Sequence, residues 1–589
     1  MGLPVAKKTA VQTGTGVTIA AAAMLAVGAI ASSLGIGLFA VLPVARLQLV
    51  HIAGAAGDDI DEDPPVGNFG YAQYFGTDGA AILSFQQTQD YGYLSVGWAR
   101  QPGRTDQDVY VVRGSALDPK LPGLEGYQEW AKFFGGTGND IGNAVVESVD
   151  ANGSANGYVL AGTWTESAGK ASQAMLMKIT PTGNLDPAWS PNPKLFAFAD
   201  GDQVAYGLDQ TFDADGKPNG YVVAGKRQYT NTDGVFVSDI VAIKLDSQGK
   251  LDPAWPENPK IIRPGLLNTA SSIQQTFSSR VTPRQPTGFI LTGTTSNEPG
   301  GNDVLLAHLD TAGNLAAAWG GNVKIFDWAR VDVGNAVRQT FDAAGRPTGY
   351  VAAGRTSSNV VDAFLLKTDQ AGNLDPDWPI NPQRYGAEDA DSANDVRQTF
   401  DTAGNPSGFI LAGETHSPSL HLQGLADMYV VRAGLRGREV WHLLTLGSGF
   451  DVGYAVRPLS GNTSHGYAVA GQTATFTGPN ESSNGWMVFF HAGRTGVIQK
   501  FRRGDADGSE EIDLTDAVFA LSGMFLGGPQ PACLDAADTD DTGQWDISDV
   551  VYDLNYMFLS GAPPPDPGPE IPGPDPTDDA LSCVSYPQD

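Results

Sequence analysis

Over most of the chain the hydrophobic positions keep a period of two. AVRQTF (336–341) alternates apolar and polar residues, as a strand with one buried face does. AAGRPTG (343–349) follows, a turn rich in Gly and Pro, and then YVAAG (350–354), a nearly continuous apolar run expected of a strand buried on both faces. The third strand has a fixed form: an acid or amide, four mostly apolar residues, then a base, as in DIVAIK (239–244) and DAFLLK (362–367). A turn and a small motif such as AGNLDPDW (371–378) lead to a short fourth strand such as KIFDW (324–328).

This unit returns. GNAVRQTFDAAGRPTGYVAAGRT (334–356), ANDVRQTFDTAGNPSGFILAGET (393–415) and YGLDQTFDADGKPNGYVVAGKR (206–227) are its clearest copies, and looser ones lie at 82–99, 142–164, 271–295 and 454–473. The glycine closing each copy falls at Gly97, Gly162, Gly225, Gly293, Gly354, Gly413 and Gly471, a period of 58 to 68 residues. A steady period of this size means stacked or radial units. Four strands in each of seven units predict a mainly β fold, a seven-bladed β-propeller over 70–501. The fourth-strand element occurs once more than seven blades need, counting YAQYF (71–75) and VIQKF (497–501). One terminal copy is therefore expected to complete the last blade. These repeats resemble the bacterial extracellular propeller repeats known as delta-60 and SBBP-type repeats.

Residues that recur in most units are expected to be structural. This covers the third-strand acids Asp108, Asp239, Asp303, Asp362 and Asp427 with the base five residues on. It also covers Asp140, Asp332, Asp391 and Asp451 before the first strand, and Trp189, Trp255, Trp319 and Trp378 in the turn motif. A catalytic site would break the repeat. No GxSxG, HExxH or phosphate-cradling glycine loop occurs, so the chain reads as a non-enzyme.

After Phe501 the period changes. DADGSEEIDLTDAVFALSGMFLGG (505–528) and DTDDTGQWDISDVVYDLNYMFLSG (538–561) are copies 33 residues apart. Each is a twelve-residue acidic loop followed by a helix with apolar residues at helical spacing: Val518, Leu521, Met524 and Phe525, then Val551, Leu554, Met557 and Phe558. Ca²⁺ takes six to eight oxygens, which an EF-hand-type loop delivers from positions 1, 3, 5, 7, 9 and 12. In the first loop these are Asp505, Asp507, Ser509, the Glu511 carbonyl, Asp513 and Asp516; in the second, Asp538, Asp540, Thr542, the Gln544 carbonyl, Asp546 and Asp549. Ile512 and Trp545 at position 8 are expected to point inward and pair the loops. Gly543 supplies the turn at position 6, but Glu510 stands there in the first loop. Two Ca²⁺ sites are thus expected, the first the weaker.

Two loop–helix halves with Asp at position 12 resemble a type I dockerin, a small all-α, EF-hand-like module, over 504–561. The resemblance implies folding on Ca²⁺ and docking to a cohesin-like or other cell-surface protein. The contacts it implies are Leu514, Thr515, Ile547 and Ser548. It also brings in the alternative function, a polysaccharide-degrading or glycan-binding propeller, which as an enzyme would be a glycoside hydrolase or lyase. No Lys or Arg lies on either helix, unlike classical cohesin contacts.

Charge and cysteines sharpen this picture. The net charge is −30, and 504–589 holds 19 Asp and Glu with no Lys or Arg. That excludes nucleic acid, whose phosphates need basic patches, and suits a cation-binding extracellular protein. Cys533 and Cys583 are the only cysteines, and a disulfide between them would clamp the Pro-rich tail 562–589 to the module. Lys7 and Lys8 precede a long small-apolar run at 17–45. Residues 1–56 are read as an export signal, or alternatively as an uncleaved N-terminal membrane anchor. An acidic linker spans 57–69. The expected location is extracellular or at a bacterial cell surface.

Overall fold

Each repeat folds as an antiparallel meander. The computed structural model describes residues 49–53, 71–75, 79–115, 128–491, 501–573 and 586, apart from short stretches within these ranges, the longest being 417–425. In the third unit the strands are Gln203–Phe212, Pro218–Thr230, Phe236–Leu245 and Lys260–Ile262, each paired antiparallel with the one before. The fifth unit repeats this with Val331–Phe341, Pro347–Ser357, Val361–Thr368 and Gln383–Tyr385. The chain is mainly β, with several sheets and a small helical segment after residue 510.

Tyr71–Phe75 pairs with Asn484–His491 as the outer strand of the last sheet, so residues from the two ends of the repeat region share one sheet. This is the terminal copy the repeat count required. Of the other copy, 497–500 lies outside the described residues and Phe501 bridges to Gly573 instead. Leu49–Ala53, read from sequence as the end of the leader, pairs with the outer strand of the sixth sheet at Trp441–Thr445. An edge strand offers unpaired N–H and C=O groups, and this segment takes them up. Residues 1–48 and 57–69 lie outside the described residues. No described helix is long and apolar enough to cross a membrane.

The closing glycines have a steric cause. In all seven units the first strand carries a β-bulge opposite them, as between Gly334 and Ala336 or Ala393 and Asp395. A Cβ on Gly354 would lie 1.8 Å from the Val333 carbonyl oxygen, and one on Gly413 would lie 1.7 Å from that of Ser392. Only glycine admits so close a backbone approach.

Hydrophobic cores form between successive sheets. One gathers Val351, Leu365 and Trp378 of the fifth unit with Phe409, Leu411 and Tyr429 of the sixth. Another joins the seventh unit to the first, through Ala470, Met487 and Phe489 against Ile82, Phe85 and Tyr93. The tryptophans knit the same seams: Trp189, Trp255 and Trp319 are buried, and their indole N–H groups donate to Ser247, Thr311 and Gln370 carbonyls in the next unit's turn.

The glutamine of the QTF motif forms a further seam. Gln339 accepts from the Phe277 N–H at 2.8 Å and donates to its carbonyl at 2.8 Å. Gln275 does the same at Phe212, Gln398 at Phe341 and Gln210 at Val149. The first strands of all seven units line a cavity of about 310 Å³, with Gln86, Val146, Asp209, Gln274, Arg338 and Arg457 among the residues facing it.

Candidate metal centre

The two acidic loops fold alike. Each leads into a helix, Leu514–Phe525 or Ile547–Leu559, and the two helices pack on each other. The position 9 aspartates, Asp513 and Asp546, are the N-caps: their carboxylates accept from the Thr515 and Ser548 amides, each at 2.7 Å. The position 12 aspartates complete a capping box three residues on. Asp516 accepts from the amides of Asp513 at 2.9 Å and Asp507 at 3.2 Å. Asp549 accepts from those of Asp546 at 2.8 Å and Asp540 at 3.3 Å. The last acid of each loop thereby ties its position 3 to its helix start.

This wiring gathers three carboxylates in each loop. Asp505, Asp507 and Asp516 offer oxygens within 4.8 Å of one another, and so do Asp538, Asp540 and Asp549. These are positions 1, 3 and 12 of both predicted ligand sets. The position 9 aspartates are not in these clusters; Oδ1 of Asp513 and of Asp546 accepts from the amide and hydroxyl of Thr515 and Ser548. At position 5, the Ser509 and Thr542 amides donate to Asp505 and Asp538 at 2.9 and 3.1 Å. At position 7, the Glu511 carbonyl accepts from the Ser509 hydroxyl at 3.1 Å. Gly543 takes φ +75° at position 6, while Glu510 lies outside the described residues.

The electrostatics follow from this crowding. Burial, then the neighbouring Asp507 and Asp505 carboxylates, push Asp516 up to about 7. Burial raises Asp549 as well, with Asp538 and Asp540 adding to it. The exposed caps Asp513 and Asp546 move the other way, held low by the hydrogen bonds they accept. Oδ1 of Asp540 is buried with no hydrogen-bond partner. An all-oxygen donor set of clustered carboxylates with one orphaned oxygen fits a hard divalent cation such as Ca²⁺.

Three further residues support these loops. Arg503 is fully buried; its guanidinium donates to the Asp535, Asp538 and Asp566 carbonyls and pairs with Asp541 at 2.9 Å. Asp553, on the second helix, is buried and pushed up to about 7 by burial and then Asp505. The Tyr586 hydroxyl donates to Asp505, and its ring packs with Phe501, Cys533 and Ala536. Only the placement of Arg503, the last base before the acidic stretch, hinted at its role. Cys533 is disulfide-bonded, and Cys583 lies outside the described residues.

Trp545 packs among Ala506, Ala517, Leu521, Met524, Val550 and Leu554, without Ile512, which sits beside Gly504. Ala517 and Ala520 are buried in this core, and only part of each helix's apolar face is covered. Leu514, Val518 and Phe525, and their counterparts Ile547, Val551 and Phe558, are about half exposed or more. Thr515 and Ser548 are exposed too, but their hydroxyls donate to Asp513 and Asp546.

No model of a known protein family matches the chain. No curated protein matches its sequence. Among solved structures it is similar to Sqt1 from Chaetomium thermophilum, at 9% identity and a TM-score of 0.36 over 72% of this chain and 98% of that one. It is similar also to the parainfluenza virus 5 hemagglutinin-neuraminidase ectodomain, at 9% identity and a TM-score of 0.31 over 76% and 87% of the two chains. A glucose dehydrogenase aligns at 13% identity and a TM-score of 0.30 over 64% and 99%. At such TM-scores the chemistry of the centre rests on this chain's own residues.

Proposed function

We propose that the chain is an exported calcium-binding protein, in which a seven-bladed β-propeller is a rigid interaction platform and the C-terminal module docks it to an extracellular or cell-surface partner. The carrying observation is that positions 1, 3 and 12 of both loops converge on carboxylate clusters, in copies 33 residues apart. Ring closure is supported by the core between the seventh and first units and by the cavity lined from all seven first strands.

Bound Ca²⁺ would supply the charge that lets three ionised carboxylates share each pocket. The loop residues do the rest. Asp516 and Asp549 fix where each helix starts, and the helices then present twin apolar stripes, Leu514–Val518–Phe525 and Ile547–Val551–Phe558. With no Lys or Arg on either helix, the partner surface is apolar at its centre, as a cohesin-like domain reading side chains by shape would be.

The test uses the full-length chain. Equilibrium dialysis against Ca²⁺ should show that the Asp516→Asn, Asp549→Asn variant binds two fewer ions than the parent. The parent should bind one member of a panel of immobilised cohesins and bacterial cell-surface fractions in Ca²⁺ and release it in chelator. Unchanged ion counts refute the metal centre; binding that ignores chelator refutes calcium-dependent docking.

A further inference from the structure

The fourth unit breaks the charge pattern of its neighbours at one edge of its third strand. In the third unit Ile240 pairs with Ile262, so Asp239 and Arg263 stand opposite at the next position, and they meet at 2.9 Å. Arg227, across the other edge of the strand, also reaches Asp239 at 2.9 Å. In the fourth unit Val304 pairs with Phe326, so Asp303 faces Asp327, and the residue on its other side is Thr295. Both arginines are gone, and one has become an acid. In the first, second and fifth units the same position is held by Gly135, Ala197 and Gly386.

A third carboxylate completes the group. Asp303, Asp327 and Asp332 offer oxygens within 4.8 Å of one another. Among the described residues no Lys or Arg forms an ion pair with any of them, whereas Asp108 has Arg104 at 4.0 Å and Asp362 has Arg384 at 3.5 Å.

Asp332 supplies the second, independent sign of a ligand. It is 0% exposed, its Oδ2 accepts from the Trp328 and Ala329 amides at 2.8 and 2.9 Å, and its Oδ1 is buried with no hydrogen-bond partner. Its counterpart Asp140 uses both oxygens as turn caps, accepting from Gly136 at 2.8 Å and Thr165 at 2.7 Å. A buried carboxylate oxygen without a donor, beside two more acids and no base, suits a cation ligand.

We propose that Asp303, Asp327 and Asp332 form a third Ca²⁺ site, in the repeat region and independent of the C-terminal loops. The donors are all hard carboxylate oxygens, two of the three acids are open to solvent that can fill the remaining coordination positions, and no Cys or His joins them. The ion would take the place that Arg263 holds in the third unit, pinning the fourth strand of the sheet to the third.

The experiment compares full-length parent, Asp327→Arg and Asp303→Asn by equilibrium dialysis against Ca²⁺, each also in the Asp516→Asn, Asp549→Asn background. Asp327→Arg rebuilds the third unit's pairing, so its β circular dichroism should match the parent while it binds one ion fewer in both backgrounds. Asp303→Asn removes a ligand charge without adding one and should weaken that ion at least tenfold. Equal ion counts in parent and Asp327→Arg overturn the site. Should Asp327→Arg misfold, Asp303→Asn decides alone, and unchanged affinity there overturns it. Retention of the ion by Mg²⁺ in preference to Ca²⁺ overturns the assignment to calcium. Because the loop-deficient background is read separately, failure here and failure of the loops give different counts.

Discussion

At His308 the fourth unit places an imidazole where its neighbours carry a lysine. Lys178, Lys244 and Lys367 each reach the aspartate eight residues on, Asp186 at 3.7 Å, Asp252 at 3.1 Å and Asp375 at 3.1 Å. Burial lowers all three lysines, and the partner carboxylate works against it. The fourth unit has lost both members of the pair, since the residue eight on is Ala316. His308 is held neutral instead, pushed down to about 4 by burial, and packs beside Trp319 and Tyr350 with ring centroids 5.7 Å from each. A cation put there alone would have no partner. His308→Lys should therefore cost on the order of 3 kcal/mol, and adding Ala316→Asp should recover most of it. Urea melts of the two variants and of Ala316→Asp alone close a double-mutant cycle. A coupling near zero would mean that the pair contributes nothing in its neighbours either.

Between elements the glutamine seam makes the strongest claim, since each amide satisfies both backbone groups of one residue on the adjoining sheet. Gln339→Ala leaves the Phe277 N–H and C=O buried and unpaired, which should cost on the order of 2 to 3 kcal/mol in urea melts. Gln339→Glu keeps the side-chain shape but presents only acceptors, so it should be no better than the alanine. A loss below about 0.5 kcal/mol for either would show water replacing the amide. The strands themselves were legible from sequence, because alternation and turn glycines are local signals. So was the period, and with it the expectation that Tyr71–Phe75 could finish the last sheet. The glutamine's partner was not legible. It lies 62 residues away, and its target is a backbone group that leaves no mark in residue type. In the loops the acids at positions 1, 3 and 12 were readable from register. Those at position 9 read equally as ligand or cap, because an Asp three residues before another Asp at a helix start can serve as either, and Oδ1 of each acts as a cap here.

On the scale of the whole chain, charge is divided unequally, and calcium removal should expose the division. The residues from Gly504 onward carry 19 of the 66 acids and no base, while the repeats pair many of theirs. In the metal-free module Asp516 sits at about 7, and Asp549 is raised for the same reason, far above the ~3.9 of a carboxyl in the unfolded chain. Between those values the folded state binds more protons than the unfolded state, so stability falls as pH rises from about 4 through about 7. Ca²⁺ reverses the sign, because it binds the ionised carboxylates and must displace those protons. In chelator the helical signal of the full-length chain should melt at a higher temperature at pH 5 than at pH 8; with saturating Ca²⁺ the order should invert. The repeats hold raised carboxylates of their own, Asp140 and Asp209 at about 6, so their β signal is followed separately. Circular dichroism at helical and strand wavelengths separates the two melts, and an identical pH order with and without Ca²⁺ would mean that the loop carboxylates do not hold the ion.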